Sequence, residues 1–236
     1  MAETTIRNFK RLVTYGAPVH KIGELAVLPD GRKYRFALNG AVALAPGKMT
    51  QGPVLIADHT NKAVSAAAAI GSLTVSLTLG GTLVTANQYA EGYLNVNDAT
   101  GEGYYYKIKS HPAADASAVL TVTLYEPIKV ALVASTSEVS LVSSNFSGSL
   151  VAATTLTNTP SGVPNVTVAA STYYWAQTGG ACACLIDGTP AAGAAVSCSN
   201  ATAGALEAGD LTLSSVGNMI ETGVSTEYKM VNLTLD

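Results

Sequence analysis

The stretch SLTVSLTLG, residues 72–80, decides the fold. Leu73, Val75, Leu77 and Leu79 alternate with Ser72, Thr74, Ser76, Thr78 and Gly80. Successive side chains of an extended chain point to opposite faces, so this period of two gathers four apolar groups on one face and small polar groups on the other. A helix would scatter the same residues around its axis. The stretch therefore reads as a strand with one face against a core.

The same period recurs in both directions. Tyr34, Phe36 and Leu38 alternate with Lys33, Arg35 and Ala37; Leu94 and Val96 oppose Tyr93, Asn95 and Asn97; VLTVTL at 119–124, a strand at 138–142 and KMVNLTL at 229–235 repeat it. Turn chemistry separates these segments. Pro29-Asp30-Gly31, Asn39-Gly40, Pro46-Gly47, the run DATGEG at 98–103 and Asp187-Gly188 each fix φ or supply its positive values. Several short strands at this spacing predict a mainly β protein, with antiparallel β-barrel or β-sandwich domains joined by Gly/Ser/Thr-rich segments. The alanine-rich runs at 63–69 and 189–195 are short and flanked by Gly or Pro, which limits them to turns or single helical turns, and 82–89 reads as a turn plus a short helix.

The chain of 236 residues is long enough for one large β-domain or two smaller ones. Its composition predicts a basic N-terminal arm at 1–21, a β-rich domain at 22–142, a linker or extended excursion at 143–170 and a small barrel-like domain at 171–236. The 143–170 segment is assigned on its Ser, Thr, Asn and Gly content and its two prolines, which offer few bulky groups to a core.

Only 12% of the residues are charged and 48% are hydrophobic, against about 25% charged in an ordinary globular domain. A surface covered by copies of the chain or by a partner accounts for that deficit; a β-protein solvated by Thr, Ser and Asn is the alternative. Residues 1–35 hold seven Lys or Arg against three acids, an excess of +4, while the remainder holds six against thirteen, or −7. Arg7, Lys10 and Arg11 in the basic end are candidate contacts to an acidic surface. The first residues, MAETTIRNFKRLVTYG, have no apolar h-region, no 18-residue apolar run occurs, and three cysteines make no complete disulfide framework. These features predict a soluble protein made in a reducing cytoplasm, with no membrane partner.

The densest local chemistry is YYWAQTGGACACLIDGTPAAG at 173–193, with the only tryptophan and two of the three cysteines. Cys182 and Cys184 lie two apart and share one face of a strand, a spacing that suits two packed thiols better than a disulfide or a C-x-x-C redox pair. A structural zinc site wants four ligands, and His20, His59 and His111 are distant in sequence, so no metal and no cofactor is expected. There is no G-x-S-x-G elbow, and Asp98, Glu102 and Asp115 read as turn residues rather than an acid-base pair. The DATGEG turn is too short a ligand series for a calcium loop, and no phosphate-binding loop is present. No catalytic residue is assigned. Tyr104, Tyr105 and Tyr106 beside Lys107 and Lys109 form an aromatic and basic cluster that suits a subunit interface better than nucleic acid.

Two blocks resemble structural proteins of tailed bacteriophages, the head-decoration or capsid-cement proteins. LPDGRKYRFALNGAVALAPGKMTQGP, residues 28–53, is similar to the amino-terminal region of phage virion proteins. WAQTGGACACLIDGTPAAGAAVSCS with IETGVSTEYKMVNLTL, residues 175–199 and 220–235, resembles the small β-barrel pattern of decoration proteins. The blocks cover under a third of the chain. The resemblance implies a virion protein on the outer capsid surface, made in the host cytoplasm, non-enzymatic, with the major capsid protein as partner and a homotrimer at local threefold positions. Arg7, Lys10, Arg11, Tyr104, Tyr105, Tyr106, Lys107 and Lys109 are the expected capsid or subunit contacts. The rival readings are a tail or fibre component, glycan-binding in one form, and a glycan hydrolase on a β-scaffold.

Overall fold

The computed structural model describes residues 9–209 and 213–236. Among them are sixteen strands, one three-residue 3-10 turn at Ala57–His59, and no helix long and apolar enough to cross a membrane. The chain is mainly β, built of barrel-like sheets, and it divides into two compact units. One unit comprises residues 1–54 and 145–236; the other is 55–144, inserted within it.

The discontinuous unit contains β1 (Leu25–Val27), β2 (Lys33–Asn39) and β3 (Thr50–Gln51), then, after the insertion, β10 (Ser147–Val151), β11 (Pro160–Pro164), β12 (Tyr173–Leu185), β13 (Ala195–Cys198), β14 (Leu206–Ala208), β15 (Gly217–Met219) and β16 (Tyr228–Thr234). Hydrogen bonds run β2-β10-β3-β11-β12 and return from β12 to β2, which closes a five-stranded ring with only β2 and β10 parallel. The far half of β12 continues through β16, β15, β13 and β14, and a parallel bridge from Ile186 to Leu206 closes a second ring. Closure removes the open edges at which a sheet would otherwise recruit other strands.

The Gly179-Gly180 pair is where β12 passes from one ring to the other. Its pairing with β2 slips between Gln177 and Gly179, and from Gly179 to Leu185 it pairs with β16. Gly180 has φ +78°, and a Cβ there would sit 2.9 Å from Cγ of Arg32. Only glycine accepts both constraints. The buried Gln177 amide ties the slip down, donating to the Ala181 carbonyl at 2.8 Å while its oxygen accepts from the Tyr34 hydroxyl at 3.2 Å.

Both faces of β2 and β12 are covered. Ala37, Tyr174 and Ala176 pack with Leu44 and Val168 on one face. Tyr34, Phe36 and Trp175 pack on the other, where Phe9, Tyr15 and His20 lie against them: Phe9 is 4.7 Å from the Trp175 ring and His20 5.1 Å. The expected arm at 1–21 is therefore, in its described part, a strap laid over this aromatic face, fastened by a bridge between Tyr15 and Tyr173. The 143–170 segment is not a linker. It supplies β10 and β11 to the first ring, and its small hydroxyls fit the crowded interior, where Thr50 bonds Ser161 at 2.9 Å and Ser149 is fully buried. The expected domain at 22–142 is likewise divided, its first part belonging to the discontinuous unit.

The inserted unit contains β4 (Lys62–Ala63), β5 (Thr74–Thr78), β6 (Tyr93–Asp98), β7 (Tyr105–Ser110), β8 (Val119–Leu124) and β9 (Glu138–Val142). The order β4-β9-β6-β7-β8-β5 is antiparallel throughout, and Val64 bridges Leu77 to complete a six-stranded barrel. Val75, Leu77 and Leu79 are all buried with Leu94, Val96, Ile108, Leu120, Val122, Val139 and Leu141, as their alternation requires. Each such aliphatic side chain contributes about 1.5–3 kcal/mol on burial. Leu73, ahead of the strand, is 48% exposed. Residues 82–89 form turns rather than a short helix. The insertion costs the host ring little, because β3 and β10 are hydrogen-bonded neighbours and the chain leaves and re-enters at adjacent points.

Candidate interface on the inserted barrel

The outer face of β6 and β7 carries three of the expected contact residues, Tyr105, Lys107 and Lys109. Strand alternation turns Tyr105, Lys107 and Lys109 outward and Tyr106 and Ile108 inward. Tyr105 is 67% exposed, and Tyr104, just ahead of the strand, is 42% exposed. Tyr106 is corrected from contact residue to core: it is buried, and its hydroxyl accepts the Lys129 backbone N–H at 3.0 Å. Pairing of Tyr93 with Lys107 and of Asn95 with Tyr105 brings the β6 residues into the same strip. The Tyr93 and Tyr105 rings meet edge to face, centroids 5.8 Å apart. Aromatic pairs in this geometry hold each other in place on the sheet surface.

Lys107 is not a free charge. Its ammonium lies 2.8 Å from the Glu91 carboxylate and 5.8 Å from the centroid of the Tyr125 ring, and the Tyr125 hydroxyl donates to the other oxygen of Glu91. Lys109 remains exposed. The strip is thus largely aromatic and amide, with its one buttressed lysine neutralised. Tyr93, Glu91 and Tyr125 were not among the sequence candidates, because only the pairing of β6 with β7 and the turn after β8 place them there.

The basic candidates fall elsewhere. Arg7 lies outside the described residues. Lys10 is exposed and Arg11 half-buried on the strap of the discontinuous unit.

The thiols occupy the core of the second ring, where Cys182, Cys184 and Cys198 are buried and free beside Val196, Leu206, Val231 and Leu233. A hydrogen bond with the Cys182 thiol, together with burial, raises Cys184 well above the usual thiol range. The same bond lowers Cys182, aided by Asn165. Burial and, secondarily, Glu207 push Cys198 up to about 11. Among the described residues no group of three or more His, Cys, Asp or Glu is placed to hold a metal.

One groove of about 420 Å³, lined by Asp187, Gly188, Thr189, Pro190, Ala201, Glu207 and Ala208, holds two carboxylates. Asp187 accepts from Ser199 at 2.7 Å and from Ser225 at 3.4 Å, and hydroxyl bonds led by Ser199 keep its carboxyl below the usual range. A general acid near neutral pH needs the opposite shift. No family model matches the chain, and no curated protein or solved structure matches it either.

Proposed function

We propose that the chain is a structural component of a tailed-phage virion that binds the outside of the assembled capsid as a homotrimer and bridges subunits of the major capsid protein. The exposed strip of Tyr93 and Tyr105 with Asn95 and Lys109 on a closed barrel carries this reading. Tyrosine supplies large amphipathic contact area at low entropic cost, and a barrel presents it without an open strand edge. The thinly charged composition supports the same reading, since charged residues are depleted at the centre of such contacts. A stable contact of this kind buries roughly 1,200–2,000 Å² in total.

Purified chain mixed with capsids of its phage that lack it should co-sediment at saturable stoichiometry and raise the temperature at which the shells release DNA. Tyr105→Ala should weaken binding about ten- to thirtyfold, as a central aromatic contact does. Failure of the wild-type chain to bind would end the proposal. A glycan-binding tail or fibre component is the second reading, favoured by the tyrosine rings beside the Asn95 amide; binding to host-surface polysaccharide, with none to capsids, would select it.

A further inference from the structure

Two histidines that no functional reading uses lie buried at one end of the inserted barrel. His59 is 0% and His111 4% exposed, with Tyr89, at 2%, between them. They fasten three segments: the 3-10 turn through which the chain enters the unit, the β5–β6 connection and the β7–β8 connection. Asp58 and Gly80 join the first two of these, the Asp58 carbonyl accepting the Gly80 N–H at 2.9 Å, and Val84 pairs with Ala114 to join the last two.

The hydrogen bonds fix both tautomers. Nε2 of His59 lies 2.9 Å from the Thr82 carbonyl, which can only accept, so Nε2 carries the proton. Nδ1 is then bare and accepts from the Tyr89 hydroxyl at 2.6 Å. In His111 the order is reversed. Nε2 accepts the backbone N–H of Tyr89 at 2.9 Å, and Nδ1 donates to the Pro112 carbonyl at 2.8 Å. Each ring is neutral with one donor and one acceptor committed. A second proton on His111 would set two N–H groups against each other. On His59 it would turn the Tyr89 hydroxyl hydrogen away from Nδ1. Tyr89 cannot relieve this by ionising, because burial pushes its hydroxyl up to about 12.

We propose that His59, Tyr89 and His111 form an acid-released clasp that holds this end of the inserted barrel shut at neutral pH and opens it when His111 takes up a proton. Desolvation lowers the His111 pKa, and His59 adds to the lowering, while the Pro112 carbonyl opposes it. The unfolded or open state therefore binds more protons below the free histidine value of about 6.5, so the stability is complete above it and is lost as pH falls towards the folded value. The charged groups nearby do not reverse this. The Asp58 carboxylate, which accepts from the Thr82 hydroxyl at 2.6 Å, interacts with His59 and Lys62 rather than with His111, Glu91 is paired with Lys107, and Asp115 is exposed. His20 belongs to the other unit, partly exposed 3.4 Å from Glu24.

Hydrogen exchange of the full chain between pH 7.5 and 5.0, corrected for intrinsic rates, tests the clasp. Protection in residues 57–61, 79–92 and 111–118 should fall by up to about tenfold per pH unit as His111 titrates, while β2 and β12 stay protected. His111→Gln, whose amide can both accept and donate, should flatten that dependence. Nitrogen-15 spectra of the wild-type imidazoles at pH 7.5 should show protonated Nε2 on His59 and protonated Nδ1 on His111. Protection unchanged down to pH 5.0, the opposite tautomers, or a folded His111→Gln chain that loses protection as steeply as wild type would each overturn the proposal.

Discussion

Replacing Cys182, Cys184 and Cys198 together by alanine tests whether the second ring uses its thiols as packing groups. Each is at most 2% exposed, so each substitution removes one sulfur from a closed core. The transfer term is about 0.8–1 kcal/mol for a group of that size. A residual cavity of about 20 Å³ adds about 0.5 kcal/mol at roughly 24 cal/mol per Å³. Three such losses come to about 4 kcal/mol, less if the neighbouring sites relax together. Set against a typical stability of about 5–15 kcal/mol, the variant should fold with a clearly lower urea midpoint. Restoring volume with valine at Val-compatible positions should recover part of the loss. Equilibrium urea unfolding followed by Trp175 fluorescence measures this, with metal content of the wild-type protein determined alongside. A stoichiometric metal in the wild type that disappears from the variant, or a variant unfolded in buffer, would refute the packing account.

Three further outcomes follow from the architecture and the ion pairs. Joining Val54 to Asn145 through a short glycine linker should leave the discontinuous unit folded, and residues 55–144 alone should form a folded barrel; circular dichroism with cooperative melting of each piece checks both. Gly217→Ala should destabilise by several kcal/mol, because its Cβ would lie 2.3 Å from the Asn232 carbonyl oxygen in β16, and urea unfolding of that variant reads the loss directly. Burial works to raise the Asp236 carboxyl, but the two bonds from Arg35 at 2.9 Å, with its charge and that of Lys33, outweigh it and leave the carboxyl lowered. Its stabilising effect is therefore present above the unfolded carboxylate value near 3.8 and lost as pH falls through the folded one, so Asp236→Asn should cost about 1 kcal/mol at pH 7, screened by its partial exposure, and progressively less as the pH falls below 3.8.

The local period of two carried far. It identified the core face of Leu73–Leu79 apart from Leu73 itself, the inward Leu94 and Val96, and the inward Val231 and Leu233. It misjudged β2, whose large apolar face is covered by the strap and whose small face, at Ala37, is also buried, because burial on both sides depends on segments distant in sequence. Closure of the rings was equally illegible. β3 is two residues long and β10 reads SGSLV, so neither announces that the two pair around an inserted domain. Tyr106 was mistaken for a contact because three adjacent tyrosines look alike until the strand's alternation turns the last of them inward. The Glu91–Lys107–Tyr125 arrangement joins residues from three different segments, and nothing in their local sequence signals the ion pair.

The most direct test of the functional proposal is cryo-electron microscopy of intact virions of the phage that carries this chain. Density for both barrels on the outer capsid surface, in threefold-related copies and with Tyr93, Tyr105 and Lys109 against the major capsid protein, is the predicted result. Density confined to the tail, or an outer-surface copy whose tyrosine strip faces solvent, would contradict it.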